Sequence, residues 1–127
     1  MTRAKPVRIE RRVLVVDDEP DIRATVAEML VLEGYDVEQA ANGADALAAI
    51  ERRTPDLILL DMRMPVLDGW GLAEALRRRG MRLPIVVMTA ARDAHRWADE
   101  IAAQGTLAKP FGFEDLIAAV EAMHPTS

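Results

Sequence analysis

The sequence predicts an α/β protein built on an open, five-stranded parallel sheet with helices on both sides. Three observations carry that prediction. Short apolar runs alternate with segments of helical spacing from end to end of the chain, the order expected of consecutive βα units. The third and fourth runs are continuously apolar, as expected of strands covered on both faces. No repeat, low-complexity stretch or linker marks a second domain, and right-handed crossovers then distribute the helices over both faces.

The elements follow in order. Val13–Val16 reads as the first strand, and Ile22, Val26, Met29 and Leu30 fall on one face of the helix behind it. Pro20 suits the first turn of that helix and Gly34 its end. Tyr35–Ala40 reads as the second strand, and Asn42 is placed to cap a second helix carrying Leu47 and Ile50. Leu57–Leu60 is the third strand. A third helix runs from about Gly69 to Arg79, where three arginines before Gly80 complement the helix dipole. Leu83–Met88 is the fourth strand, followed by a helix that groups Ala94, Trp97, Ala98 and Ile101. Thr106–Ala108 is a short fifth strand, and the last helix groups Phe113, Leu116, Val120 and Met123.

Composition narrows the function. A chain of 127 residues, half of them hydrophobic, supports one domain with an aliphatic core. The absence of cysteine excludes disulfides and thiolate metal sites and suits a reducing cytoplasm. No apolar run approaches the roughly 20 residues of a membrane span, and no apolar segment follows the basic N-terminus as a secretory signal requires. A net charge of −5 argues against general nucleic-acid binding. The expectation is a soluble, cytoplasmic protein with a basic tail over residues 1–11 and one domain over 12–124. Arg3, Lys5, Arg8, Arg11 and Arg12 are read as a solvated, basic N-terminal stretch.

In an open parallel sheet, ligands bind beyond the carboxyl ends of the strands. Those ends carry Asp17-Asp18-Glu19, Asp61, Thr89-Ala90 and Lys109-Pro110-Phe111. An acid before Pro20 is also an ordinary helix start, and Asp68-Gly69 is a turn signal in its own right. Neither reading accounts for Asp61 meeting Asp17 and Asp18 on one edge. Clustered carboxylates raise one another's pKa unless a cation neutralises them. With only oxygen ligands on offer, that cation is hard and divalent, and Mg²⁺ fits. A carboxylate beside Mg²⁺ is a nucleophile toward phosphorus, giving an aspartyl-phosphate. Lys109 and Thr89 are then placed to hold the phosphoryl oxygens.

The motifs "VLVVDDEP", "PDLILLDMRMPVLDG", "LPIVVMTA" and "AKPF", in that order and spacing, resemble a two-component response-regulator receiver domain of the single-domain chemotaxis type, over nearly the whole chain after the tail. The resemblance implies a doubly wound, flavodoxin-like (βα)5 fold with strand order 2-1-3-4-5. It implies Asp61 as phosphoacceptor, Asp17 and Asp18 as the Mg²⁺ pair, and Arg63 as the donor of a backbone carbonyl to the metal. Thr89 becomes the switch hydroxyl and Lys109 the phosphate-pairing lysine, with a cis bond to Pro110. The phosphoryl donor would be a sensor histidine kinase, a phosphotransfer protein or a small acyl phosphate. His95 and His124 match no role and are read as surface residues.

Two departures from the family pattern stand out. The aromatic residue usual three positions before the lysine is Thr106, and the Gly-Ala ahead of that strand is Ala102-Ala103. The expectation is that phosphorylation reaches the face of the fourth helix, fifth strand and fifth helix by another route. Trp97 is one candidate reporter, although a core-facing Trp is the simpler reading. The positions that tune hydrolysis in the family are Arg63 and Ala91 here, and Arg63 is expected to reach the phosphoryl oxygens and slow their loss.

The leading reading is a stand-alone signalling switch that alters a downstream protein contact, as a monomer or a weak phosphorylation-dependent dimer, with no direct nucleic-acid or membrane contact. The first alternative is the receiver portion of a larger transcription factor or hybrid kinase. A Mg²⁺-dependent aspartyl-phosphate enzyme is disfavoured, because Arg63 and Ala91 supply no acid or base and short loops leave little room for substrate. A receiver that works without phosphorylation is disfavoured by the intact set Asp17, Asp18, Asp61, Thr89 and Lys109.

Overall fold

The computed structural model describes residues 11–123. Arg3, Lys5 and Arg8 of the basic tail, His124 and the expected end of the domain at 124 lie outside the described residues. Five βα units follow one another: β1 Arg12–Val16, α1 Pro20–Leu32, β2 Asp36–Ala40, α2 Gly43–Arg52, β3 Leu57–Asp61, α3 Gly69–Arg78, β4 Ile85–Ala90, α4 Ala91–Glu100, β5 Gly105–Lys109 and α5 Phe113–Glu121. All strand pairs are parallel, in the order β2-β1-β3-β4-β5. The expected doubly wound fold is the one observed.

Alternating strand residues supply two cores. Val13, Val15, Leu57, Leu59, Val86, Met88 and Leu107 pack with Val26 and Leu30 of α1 and Leu116 and Val120 of α5. The intervening Leu14, Val16, Ile58, Leu60, Ile85 and Val87 pack with Ala46, Ala49 and Ile50 of α2, Leu72 and Leu76 of α3, and Trp97 and Ala98 of α4. The period of two along each strand thus assigns α1 and α5 to one face and α2, α3 and α4 to the other. β1, β3 and most of β4 are buried on both sides, which is why they read as unbroken apolar runs.

The helix signals act as read. Pro20 opens α1 and Gly34, at φ +98°, follows its end. Asn42 caps α2 by accepting the Asp45 N–H at 2.8 Å, and Asp68 caps α3 by accepting that of Gly71 at 2.8 Å. Arg77 and Arg78 occupy the last turn of α3, and both pair with Glu74.

Several boundaries differ from expectation. Tyr35 lies before β2, because its N–H donates to Leu30 O at the exit of α1. Leu83 and Pro84 precede β4, which runs on through Thr89 to Ala90; Pro84 has no N–H to pair and only accepts, from Ile58. Arg12 belongs to β1 rather than to a solvated stretch. Its guanidinium reaches across to Asp36 at 2.8 Å and Glu38 at 2.7 Å on β2. Phe113, grouped with the core residues of α5, is instead exposed as the first residue of the helix.

Candidate functional site

The strand order leaves β1 beside β3, with β4 and β5 following, so their carboxyl ends meet on one edge. Asp17 directly follows β1, Asp61 closes β3 opposite Met88 of β4, and Thr89 lies one residue further along. Lys109 closes β5 and is joined to Pro110 by a cis bond. Asp17, Asp18 and Asp61 each offer a carboxylate oxygen within 4.8 Å of the other two. Asp17, Asp61 and Thr89 are buried.

Asp17 is held from every side. Its Oδ1 accepts the Glu19 N–H at 2.9 Å, the turn an aspartate makes with the backbone two residues on. Its Oδ2 accepts from Lys109 Nζ at 2.8 Å. Its carbonyl accepts from Arg23 Nη1 at 2.7 Å, and its N–H donates to Ala40 O at 3.1 Å. Arg23 was not foreseen as part of the site. Lying among the polar residues of α1, it carries no signal of its own. Glu19 occupies the N-cap position of α1 without a capping side-chain bond, and its carboxylate stands 3.9 Å from Lys109 Nζ.

Asp61 is more weakly satisfied. Its Oδ1 accepts the Arg63 N–H at 3.4 Å, and its Oδ2 lies 3.8 Å from Lys109 Nζ. Burial pushes its pKa up to about 7; the Lys109 charge opposes this, and the Asp17 charge adds to it. Burial alone would lower the Lys109 pKa. The hydrogen bond it donates to Asp17 and the charges of Asp61, Asp17 and Glu19 outweigh it and hold the ammonium above its ordinary range.

The loop between β3 and α3 is tied down at both ends. Gly69 N–H donates to Met62 O at 2.9 Å, and Gly43 N–H of α2 donates to Leu67 O at 2.8 Å. A Cβ at Gly43 would lie 2.3 Å from that Leu67 oxygen, so no larger residue fits. Between the ties, Leu67 N–H donates to Pro65 O at 2.8 Å across Val66, whose φ is +72°. That is a γ-turn of the strained sense, on a β-branched residue.

Arg63 is exposed, and its guanidinium carbon lies over the Trp97 ring, 5.8 Å from the centroid. Trp97 is core-facing and buried. Thr106 sits in β5 opposite Val87 of β4, and Ala91 is the first residue of α4. His95 is exposed, as read.

The donor set is chemically coherent. Three hard carboxylates with no nitrogen or sulfur donor among them suit Mg²⁺ rather than a softer metal. An ammonium already balances part of their charge, so the site is built for neutralisation by cations. Beyond it, a groove of about 510 Å³ opens between α1 and the β5–α5 loop, lined by Ile22, Met29, Pro110 and Phe111 among others. Among the described residues, no helix is long and apolar enough to cross a membrane.

Comparison with known proteins agrees with this geometry. Residues 13–121 match the response regulator receiver domain family. The transcriptional regulatory protein PrrA of Mycobacterium tuberculosis is 40% identical over 114 residues, which cover 88% of this chain and 49% of that protein. The transcriptional regulatory protein PdtaR of the same species is 41% identical over 116 residues, covering 89% of this chain and 56% of that one. The chain therefore spans about half the length of the curated relatives it matches. Among solved structures, the chemotaxis response regulator CheY4 of Vibrio cholerae superposes with a TM-score of 0.82 at 33% identity, covering 90% of this chain and 98% of that one. The receiver domain of NtrX from Brucella abortus gives 0.82 at 36% identity, covering 91% and 99%.

Proposed function

The chain belongs to the response regulator receiver family, and on that premise we propose that it is a phosphorylation-dependent signalling switch whose phosphoacceptor is Asp61. The observation that carries this reading is the placement of Asp61. It ends a central strand, with the Asp17 and Asp18 oxygens within 4.8 Å and the Lys109 ammonium 3.8 Å away. A nucleophile needs acids beside it to recruit a cation and a fixed positive charge to receive the transferred group.

In the transfer, an Asp61 carboxylate oxygen attacks phosphorus. The bond to the donor breaks, to a histidine nitrogen of a sensor kinase or phosphotransfer protein, or to the carboxyl oxygen of an acyl phosphate. The departing atom keeps the bonding electrons. Asp17, Asp18, Asp61 and the Arg63 backbone carbonyl would hold Mg²⁺, which supplies charge neutralisation at the acids and at a phosphoryl oxygen. Lys109 turns from Asp17 toward the new phosphoryl oxygens, and Thr89 donates a hydrogen bond to another. Burial excludes competing water and strengthens each of these contacts.

The protein is in this reading a signalling module rather than an enzyme acting on external substrates. The added charge of about −1.5 to −2 shifts an existing equilibrium of the α4–β5–α5 face, and a downstream protein reads that face. The domain so defined runs over 12–124, behind a basic tail at 1–11. A second reading, in which this receiver serves a larger transcriptional regulator, is favoured by one observation: the curated relatives are about twice as long as the matched region.

The test is incubation with Mg²⁺ and an acyl phosphate, followed by intact mass, with Asp61→Asn alongside. One phosphoryl adduct is expected on the unsubstituted protein and none on the variant. An adduct of equal yield on both would overturn Asp61 as the acceptor.

A further inference from the structure

We propose that the Arg63 side chain is a relay between Asp61 and α4: it stacks on Trp97 in the resting protein and leaves that ring for the phosphoryl group once Asp61 carries one. The proposal rests on the phosphoacceptor reading above and adds a route that the expected site residues do not provide.

The geometry supplies both positions. Arg63 lies two residues beyond Asp61, and its N–H already faces Asp61 Oδ1 at 3.4 Å. Its guanidinium lies over Trp97, a buried residue of α4. Among the described residues it has no carboxylate partner. Arg96, whose guanidinium lies over the same ring at 5.8 Å, is by contrast tethered to Asp93 at 2.9 Å. Two cations thus share one indole, and only one of them is held elsewhere. A cation–π contact at an exposed position is weaker than a charge-assisted bond to phosphate. The like charge of Arg96 weakens it further. A dianionic phosphoryl group two residues away therefore captures Arg63.

The consequence falls on α4. Trp97 meets the α3 residue Trp70 edge to face, with centroids 5.0 Å apart and planes at 69°. Trp70 Nε1 donates to Glu100 Oε1, at the end of α4, at 2.8 Å. The two indoles and this bond form a clasp between α3 and α4, and Arg63 covers part of it. Its departure exposes the Trp97 ring and loosens α4 from the side of the β3–α3 loop. Thr106 carries no ring to report the state of Thr89 across the sheet. The signal can reach α4 from the acceptor loop instead.

The full chain contains two tryptophans, Trp70 and Trp97, so fluorescence of a single-tryptophan variant reports on the ring that Arg63 covers. Trp70→Phe leaves Trp97 as the sole indole, and intact mass reports the adduct in the same samples. In that background phosphorylation is expected to shift Trp97 emission to the red. Arg63→Ala starts from the shifted position, and its emission, compared at equal adduct fraction by intact mass, changes no further. Arg63→Lys, which keeps a mobile cation, restores a smaller phosphorylation-dependent shift. An Arg63→Ala protein whose emission moves as far as its parent's overturns the relay, as does an adduct on the parent with no change in emission. Absence of any adduct on the parent overturns the phosphoacceptor reading itself, so the two failures are distinguishable.

Discussion

Lys109 donates to Asp17, 92 residues away in sequence, at 2.8 Å, while its distance to Asp61 is 3.8 Å. In the resting protein the lysine therefore neutralises the buried acid at the end of β1 rather than the proposed acceptor. That choice follows from burial, since Asp17 is fully enclosed and leaving it unpaired costs more. The lysine has a structural partner in one state and a chemical one in the other.

Replacing that lysine separates the two roles. Lys109→Ala strands a buried carboxylate, and breaking such a pair is strongly destabilising. With Lys109 partly exposed, a loss on the order of 2–3 kcal/mol is expected in urea unfolding. Mg²⁺ restores more stability to the variant than it adds to the unsubstituted protein, because it supplies the missing positive charge. Equal Mg²⁺ effects on both would mean that the ammonium and the metal do not serve the same acids.

The position of Asp61 gives a pH dependence with a definite sign. Its folded pKa is about 7 against an ordinary 3.8, chiefly through burial. Between those values the folded form keeps a proton that the unfolded chain has lost. The native state binds more protons there, so its stability falls as pH rises across that window. Unfolding midpoints in chelator, at about pH 5 and about pH 8, should show this decline in the unsubstituted protein and a shallower one in Asp61→Asn. Parallel curves would count against a buried, proton-holding Asp61.

Thr106 stands in β5 opposite Val87, two residues before Thr89 on the neighbouring strand. A ring placed there is within the neighbourhood that Thr89 disturbs when it turns toward a phosphoryl group. Thr106→Tyr should enlarge the phosphorylation-induced change in amide exchange over α4, β5 and α5. Combined with Arg63→Ala, it should restore a response that the single Arg63 variant lacks. If exchange on that face is the same with Thr and Tyr, the small residue is not a loss of coupling.

The sequence made the frame legible because four of the five strand runs stop at a charge or hydroxyl, and those four stops are the site. Asp17, Asp61, Thr89 and Lys109 could all be placed at strand ends from that pattern alone. What escaped it depends on neighbours distant in the chain. Arg12 looked like one more tail cation, yet Asp36 and Glu38 on the adjacent strand make it part of the sheet. Arg23 acquires its role from the Asp17 carbonyl just past β1 and Arg63 its resting place from an indole of α4. Phe113 fits the helical period, but the first turn of α5 leaves it in solvent. Side-chain destinations of long cations are tertiary facts, and periodicity does not carry them.

Ala102 shows a departure from the family pattern acting as strain. Its N–H donates to Asp99 O at 3.2 Å and the next N–H, of Ala103, to Ala98 O at 2.8 Å. This pair of bonds is the glycine-type ending of a helix, which needs a left-handed residue just past the last turn. Ala102 supplies it at φ +56° with a Cβ present, which costs an L-residue about 1–2 kcal/mol. The residue is exposed, so removing its methyl sacrifices almost no packing. Greater freedom of glycine in the unfolded chain takes back part of the gain. Ala102→Gly should therefore stabilise the protein by about 0.5–1 kcal/mol, a rise of a few degrees in Tm. Val66→Gly, relieving a β-branched residue at φ +72° that is 79% exposed, should gain at least as much. Ala102 lies one residue past Ile101, the C-cap of α4, so a firmer ending there also holds the helix that carries Trp97. A stabilised Ala102→Gly protein with a diminished phosphorylation response would place the strain in the service of the switch, and an unchanged response would assign it to sequence drift alone.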